Sequence, residues 1–281
     1  MIKQYSPERF DEKKLRDIES ALQRQRALWE NGFPCPQIFP AHGRALRVSP
    51  LLTTYLVTEF CPGKNETAET ITPAQMADLG RVCAQMHQSF AALPCQGVKG
   101  FPLRVQSVRD ALWENYRQRR QALSPEDPAP YRQAVLDQEA LLRWADGGFW
   151  SRMPLGIAHE DFTPDNLPFT PQGVSAVIDF DRNQYSFLWH DIGRAIVSFA
   201  LEKDGLNARK ARAFVRGYAG IAPLTPADAA DALRLCCLLE LTWWIQPSMF
   251  LHDAGKATRY LNETLWLMAH FFKLDALLDG E

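Results

Sequence analysis

The sequence lacks any excess of basic residues and any long apolar run. Its 31 lysines and arginines are matched by 33 aspartates and glutamates, which gives a formal net charge of −2. Because nucleic-acid-binding proteins usually carry a basic excess on one face, no nucleic acid is expected as a partner. The longest apolar stretch, 233–245, is shorter than the about 18 residues that suggest a membrane span, and it contains Arg234 and Glu240. No membrane partner is therefore expected.

The chain also lacks paired cysteine motifs and an apolar leader. Its six cysteines form no Cys-x-x-Cys pair, and most have apolar neighbours, which is typical of buried, reduced thiols. The first residues contain no apolar segment of the kind that signal peptides carry. With 46% hydrophobic and 23% charged residues, the chain is expected to be a cytoplasmic globular protein. Its oligomeric state is left open.

The pattern of breakers and apolar residues predicts a small, partly β-stranded unit followed by a larger helical one. The expected elements of the first unit are a strand at 1–5, a helix at 11–29 and strands at 44–48 and 55–60. Cys61-Pro62-Gly63 then breaks the chain, and we place the boundary between residues 1–61 and 62–281 there. Helices are expected at about 72–90, 105–123 and up to 144, and over most of 191–278.

One stretch of the second unit departs from this helical pattern. The apolar runs 167–169 and 174–178 are separated by Pro171-Gln172-Gly173, which predicts a β-hairpin. Polar motifs flank it: His159-x-Asp161-x-x-x-x-Asn166 precedes the hairpin, and Ile178-Asp179-Phe180-Asp181 ends it.

The base of such a hairpin would bring Asn166 and Asp179 together. An amide oxygen and a carboxylate are suitable ligands for Mg²⁺, which takes its remaining ligands from water and phosphates. Asp161, on the loop before the hairpin, would then lie beside the metal, where an acceptor hydroxyl must be oriented and its proton accepted. The two motifs therefore predict a metal–phosphate site.

These motifs resemble the catalytic and metal-binding motifs of the aminoglycoside phosphotransferase/choline kinase-like family. Three more segments resemble the hinge, the first large C-lobe helix and the helix after the metal-binding loop of that family; they are 58–63, 79–87 and 190–194. The resemblance implies an α+β, protein-kinase-like two-lobe fold. A small, incomplete β-containing N-lobe with the hinge (1–61) would face the nucleotide, and a large helical C-lobe (62–281) would carry the catalytic β-hairpin and the acceptor-binding helices.

The resemblance also implies a function: ATP-dependent transfer of a phosphoryl group to a hydroxyl of a small molecule, either a metabolite or an aminoglycoside-like compound. ATP and Mg²⁺ would be the cofactors. Asp161 would orient and deprotonate the acceptor hydroxyl, and Asn166 and Asp179 would hold Mg²⁺ on the ATP phosphates.

On the nucleotide side, the resemblance implies that the backbone near Glu59 and Cys61 receives the adenine and that Lys3 contacts the phosphates. Glu19 is the expected partner of this lysine. The family normally has a glycine-containing hairpin ahead of the lysine, whereas this chain begins at the lysine and has its first glycine at Gly32. The N-lobe is therefore expected to be shortened, or to lack the cover over the phosphates.

Three supporting residues have more modest expected roles. His159 is expected to brace the catalytic loop, and Asp191 to act as a helix N-cap or a loop brace. Asp181 is either a second metal contact or a turn residue. In the interior, Phe60, Leu79 and Met86 are expected to be core residues.

Two other functions stay open at this point. The first is a metal-dependent phosphohydrolase that would use five side chains: His159, Asp161, Asp179, His190 and Asp191. Against it, such sites need further histidines on helices, and the remaining four are scattered. The second is a non-catalytic, kinase-like nucleotide-binding protein.

Overall fold

Three short strands close to the N-terminus form an antiparallel sheet in a computed structural model that describes residues 1–251 and 255–279. They are β1 (Ile2–Tyr5), β2 (Leu46–Val48) and β3 (Thr54–Val57), in the order β1-β3-β2. In this register Lys3 lies opposite Leu56, which is itself opposite Leu46. The parts of the expected C-lobe at 252–254 and 280–281 lie outside the described residues.

One helix, α1 (Glu12–Glu30), packs on this sheet. It begins at Asp11, whose side chain accepts a hydrogen bond of 2.8 Å from the backbone amide of Lys14, as an N-cap should. Its apolar face joins the sheet in a small core: Tyr5, Ile18, Leu22, Ile38, Ala45 and Leu56. This core holds β1 in place and so positions Lys3.

The rest of the chain is built mainly from helices around one large core. The helices are α2 (Pro73–Ala91), α3 (Val105–Ala122), α4 (Ala129–Ala145), α5 (Leu188–Ala200), α6 (Ala208–Ala219), α7 (Pro226–Trp244), α8 (Lys256–His270) and α9 (Leu274–Asp279). Capping boxes begin two of them, because Thr72 pairs with Gln75 and Thr225 with Asp228. The helices expected at 72–90 and 105–123 are thus confirmed to within two residues.

Short strands pair within and beside this helical body. They are β4 (Lys64–Asn65), β5 (Leu155–Ala158), β6 (Pro168–Thr170), β7 (Gly173–Val174), β8 (Gln184–Phe187), β9 (Leu201–Glu202) and β10 (Gly205–Leu206). The pairs are β4 with β6, β6 with β7, β5 with β8, and β9 with β10, all antiparallel. The β6–β7 pair confirms the predicted hairpin, while the β5–β8 pair was not predicted.

Single 3₁₀ turns connect several of these elements, at Phe149–Arg152, Pro164–Asn166, Phe180–Arg182, Pro247–Phe250 and Phe271–Lys273. The turns at Pro164–Asn166 and Phe180–Arg182 contain parts of the two polar motifs that flank the hairpin.

Of the three residues expected in the core, two are buried and one is exposed. Leu79 and Met86 are fully buried, but Phe60 is 70% exposed, so the prediction that it belongs to the core is wrong. Phe60 follows β3 at the predicted hinge, where the chain runs over the surface between the sheet and the helical body. The two-lobe boundary at residue 61 itself stays a prediction.

The six cysteines are all free thiols, four of them buried. Within residues 1–251 and 255–279, no helix has the length and apolar character needed to cross a membrane.

Candidate active site

The base of the hairpin holds the two polar motifs together. The backbone amide of Ile178 donates a hydrogen bond of 3.0 Å to the carbonyl of Asn166. This bond places Asn166 at one end of the hairpin and Asp179, the next residue after Ile178, at the other. The backbone therefore brings Asn166 and Asp179 close together, as the sequence predicted.

The side chain of Asn166 is oriented by the catalytic loop. Its amide nitrogen donates to the backbone carbonyl of Asp161 at 2.9 Å. Its amide oxygen accepts no hydrogen bond from any residue that the structure describes, and it is therefore available as a hard oxygen ligand.

Asp179 has an unusual backbone conformation, with φ +62° and ψ +65°. This left-handed region is costly for residues other than glycine, although aspartate and asparagine tolerate it better than most. Such strain tends to be kept where it positions a functional group. Here it begins the 3₁₀ turn at Phe180–Arg182, on which Asp181 also lies.

Lys3 joins the sheet to this turn. Its ammonium lies 2.7 Å from a carboxylate oxygen of Asp179 and 2.7 Å from one of Asp181. Tyr5, two residues along β1 and hence on the same face, donates its hydroxyl to the other oxygen of Asp181 at 3.0 Å. One cation thus neutralises part of the charge of two neighbouring carboxylates.

The charged groups in this cluster shift one another's pKa values. Burial opposes the charge of Lys3, but the carboxylates of Asp181 and Asp179 outweigh it and raise the pKa of the Lys3 ammonium. Burial raises the pKa of Asp181, in spite of the Lys3 charge beside it. Burial and the same carboxylate also raise the pKa of Tyr5. Lys3 therefore stays cationic and Tyr5 stays a hydrogen-bond donor near neutral pH.

Asp161 has a carboxylate that none of the described residues engages. The residue is half-buried, and its backbone carbonyl accepts hydrogen bonds from Asn166 and from the amide of Thr163. Its carboxylate makes no hydrogen bond or ion pair with the part of the chain that the structure describes. The backbone of Asp161 is thus held firmly while its side chain is available to a ligand.

Asp191 holds the backbone of the loop at 159–160 in place. Its carboxylate is fully buried and accepts hydrogen bonds from the backbone amides of His159 (2.8 Å) and Glu160 (2.9 Å) and contacts the His87 ring at 3.1 Å. Burial works in the opposite direction, but the hydrogen bond and charge of His87 hold the pKa of Asp191 below its usual value. Asp191 lies in the first turn of α5, so its geometry is that of a loop brace rather than an N-cap.

His159 connects the two motif segments. Its ring nitrogen Nε2 lies 3.1 Å from the backbone carbonyl of Ile178, to which it must donate, and the ring packs edge-on against Phe180. The ring thus links the His159-to-Asn166 segment to the Ile178-to-Asp181 segment. The neighbouring dipeptide His190-Asp191 does not form a shared metal site with it, because Asp191 is engaged by the loop while His190 faces Glu160 and Glu240.

The expectation that Glu19 is the partner of Lys3 is wrong. The Glu19 carboxylate accepts hydrogen bonds of 2.9 and 2.8 Å from the backbone amides of Ala45 and Leu46, at the start of β2. It therefore ties α1 to the sheet, and the lysine pairs with Asp179 and Asp181 instead.

Glu59 and Cys61 lie in the segment that leaves β3 for the helical body. Glu59 is exposed, and its backbone amide donates to the carbonyl of Gln37 at 2.8 Å. Cys61 is half-buried, and burial raises the pKa of its thiol. Their predicted role at the adenine remains a proposal.

Sequence reasoning missed a polar link between α1 and Asn183, which follows the 3₁₀ turn at Phe180–Arg182. The buried guanidinium of Arg24 donates to the side-chain oxygen of Asn183 at 2.6 Å and to its backbone carbonyl at 3.0 Å. Asn183 in turn donates to the carbonyl of Ala158 at 2.8 Å. Nothing local in the sequence marks this pair, since 159 residues separate Arg24 from Asn183.

Comparison with known proteins places this geometry in a family. The model of the phosphotransferase enzyme family matches residues 3–224. A homoserine kinase of Paramagnetospirillum magneticum is 32% identical over 216 residues, which cover 73% of this chain and 61% of that protein. The chain spans between about half and two thirds of the length of the curated homoserine kinases that it matches.

Solved structures share the fold at low sequence identity. An aminoglycoside phosphotransferase of Alicyclobacillus acidocaldarius has a TM-score of 0.63 at 17% identity, with 99% of this chain and 84% of that chain covered. The amicoumacin kinase hAmiN, solved with AMP-PNP, Ca²⁺ and its ligand, has a TM-score of 0.64 at 14% identity, with 100% and 83% covered. The chain accordingly has the kinase-like phosphotransferase fold, and it belongs to the phosphotransferase enzyme family.

Proposed function

We propose that the protein is a cytoplasmic enzyme that transfers the γ-phosphoryl group of ATP to a hydroxyl of a small molecule. The observation that carries this proposal is the Asp161 carboxylate, which no described residue engages, on a loop that is hydrogen-bonded to Asn166. The backbone carbonyl of Asn166 in turn accepts from Ile178, the residue before Asp179, and Asp179 pairs with Lys3. A carboxylate base, two hard oxygen donors and a cation suit phosphoryl transfer, which depends on positioning and charge neutralisation.

The donor set fits Mg²⁺. Asn166 would contribute its free amide oxygen and Asp179 a carboxylate oxygen, and the phosphates of ATP and water would supply the remaining ligands. When bound, the ion neutralises charge on the phosphates. Lys3 would then contact the phosphates, and the backbone near Glu59 and Cys61 would receive the adenine.

The reaction needs one base. As the acceptor hydroxyl oxygen forms a bond to the γ-phosphorus, the bond between that phosphorus and the β–γ bridging oxygen breaks, and ADP leaves. The proton of the hydroxyl passes to Asp161, whose carboxylate has no competing partner in the described chain. Such base catalysis typically contributes a factor of about 10²–10⁴.

We propose hydroxylated amines as the acceptors to examine first, beginning with homoserine. The support is the 32% identity to a homoserine kinase over 73% of this chain. The test is a ³¹P NMR assay of the purified chain with ATP, Mg²⁺ and, in separate reactions, homoserine, short amino alcohols and aminoglycosides. A new phosphomonoester signal that appears with one acceptor supports the proposal, and ATP consumption without any phosphorylated acceptor contradicts it.

A non-catalytic, nucleotide-binding role is the second candidate, and one observation favours it. Lys3 is shared between Asp179 and Asp181, and this arrangement must loosen before Lys3 can reach a phosphate. Thermal stabilisation by Mg²⁺·AMP-PNP without turnover on any acceptor of the panel would select this role.

A further inference from the structure

Helices α5 and α7 approach each other closely at Gly193. A Cβ atom at this position would lie 2.1 Å from the backbone oxygen of Ala232 and 2.8 Å from the Cβ of Cys236, so only glycine allows this packing. One turn before Gly193, the side chain of His190 therefore comes against α7.

Two potential ligands on α7 meet this histidine. Cys236 and Glu240 are four residues apart and so lie on the same helix face. The ligand atoms of His190, Cys236 and Glu240 all lie within 4.8 Å of one another, and none of the three residues is more than 9% exposed. An imidazole, a thiol and a carboxylate thus converge where α5 meets α7.

The distances within this group suit metal coordination better than hydrogen bonding. His190 Nε2 lies 3.4 Å from a carboxylate oxygen of Glu240, whereas a charge-assisted hydrogen bond would measure about 2.7–2.9 Å. Two ligands on one tetrahedral ion with bonds of about 2.0–2.1 Å lie about 3.4 Å apart. Neither ring nitrogen of His190 has a hydrogen-bond partner among the described residues, although both are buried.

The surroundings resemble the outer partners that metal ligands usually have. Glu160 places a buried carboxylate oxygen, itself without a hydrogen bond in the described chain, 3.7 Å from Nδ1 of His190. Trp244 donates its indole N–H to the second oxygen of Glu240. Arg194 lies 3.3 Å from the first oxygen of Glu240 and also pairs with Glu263, so the two glutamates share its charge.

We propose that His190, Cys236 and Glu240 form a binding site for a zinc-class divalent cation. Nitrogen, thiolate and carboxylate are the ligands that Zn²⁺ takes in proteins, and three of them leave a fourth position for water. The ion's two positive charges balance the Cys236 thiolate and the Glu240 carboxylate. The site pins the first turn of α5 to α7, next to Asp191, the residue that holds the catalytic loop.

The test uses Co²⁺ as a spectroscopic substitute for zinc in the full chain. The metal content of the purified protein is first measured by mass spectrometry, and the chain is then stripped with a chelator and titrated with Co²⁺. We expect one Co²⁺ per chain, with thiolate-to-metal charge-transfer absorption in the near ultraviolet and the visible bands of a tetrahedral site, all lost on addition of Zn²⁺.

Variants identify the ligands. Cys236→Ser is expected to abolish the charge-transfer band, whereas Cys237→Ser, at an equally buried neighbour, is expected to keep it. Glu240→Gln is expected to weaken Co²⁺ binding by at least about tenfold, as loss of a metal partner does. Circular dichroism of each chain checks that it is folded.

Two results would contradict the proposed metal site. If the folded wild-type chain shows no thiolate band with Co²⁺, or if Cys236→Ser keeps that band, the site is not a metal site, and His190 is a protonated partner of Glu160 and Glu240. Should Cys236→Ser fail to fold, the wild-type spectrum still decides between these two states.

Discussion

The ammonium of Lys3 lies 2.7 Å from a carboxylate oxygen of Asp179, although 176 residues separate them in the chain. This contact joins the N-terminal sheet to the turn at the end of the β6–β7 hairpin. It brings together a cation and a carboxylate, to which the proposed reaction assigns phosphate binding and metal binding.

Replacing Lys3 is expected to weaken nucleotide binding. Lys3→Met removes the cation that we propose contacts the phosphates, and it leaves Asp179 and Asp181 to repel each other and the nucleotide. We expect the Kd for Mg²⁺·AMP-PNP, measured by calorimetry, to rise about tenfold, or about 1.4 kcal/mol. Lys13→Met, at an exposed position of α1, is the matched control and should bind as the wild type does. If the Lys3→Met chain binds Mg²⁺·AMP-PNP as tightly as the wild type does, Lys3 does not contact the phosphates.

Replacing Asp161 is expected to stop transfer without affecting the nucleotide. Asp161→Asn keeps the shape of the side chain but cannot take the acceptor proton, so kcat should fall by a factor of about 10²–10⁴. The Kd for Mg²⁺·AMP-PNP should stay within a factor of about two, because Asp161 lies beside the proposed metal ligands and is not one of them. Turnover is measured by release of ADP in the presence of the acceptor found by NMR. Asp204→Asn, in the exposed turn between β9 and β10, serves as the control, and full activity of Asp161→Asn would contradict the assigned role.

Replacing Asp191 is expected to cost stability. Asp191→Asn removes the buried charge that accepts from the amides of His159 and Glu160 and pairs with His87. Breaking a buried pair of this kind typically costs about 3–5 kcal/mol, and the neutral amide retains part of the hydrogen bonding, so we expect about 3 kcal/mol. Urea unfolding followed by circular dichroism measures this change, and a loss below 1 kcal/mol would show that Asp191 does not brace the loop.

The contribution of Asp191 should also depend on pH. Its pKa is lowered in the folded chain, so the folded state binds the proton less readily than the unfolded state does. This contribution is fully present above the unfolded value of about 3.9 and is lost as the pH falls through the lower folded value. The difference in unfolding free energy between wild type and Asp191→Asn should therefore be largest near neutral pH and shrink in acid. A difference that grows below pH 4 would contradict this sign.

Local signals accounted for much of the fold. The helix over Pro73–Ala91 follows from Thr72-Pro73, with proline at the first helical position, and the hairpin follows from a Pro-Gln-Gly turn between two apolar runs. The closeness of Asn166 to Asp179 also follows, because the two ends of a short hairpin must meet.

Contacts between residues that are far apart in the sequence could not be predicted from local patterns. Glu19 was expected at Lys3 because the family resemblance implies a partner for this lysine, but α1 is rotated so that Glu19 meets the backbone amides of Ala45 and Leu46. Phe60 was expected inside because it is aromatic, and a hinge that runs over the surface leaves it exposed.

The amino-acid sequence by itself determined the elements and the family motifs, because helix caps, turns and hairpins depend on residues that are neighbours along the chain. Only the tertiary structure decided that Lys3 pairs with Asp179 and Asp181, that Arg24 holds Asn183, and that His190 meets Cys236 and Glu240. These contacts depend on how α1, α5 and α7 rotate and approach as they bury their apolar faces, and packing of that kind is a property of the whole core.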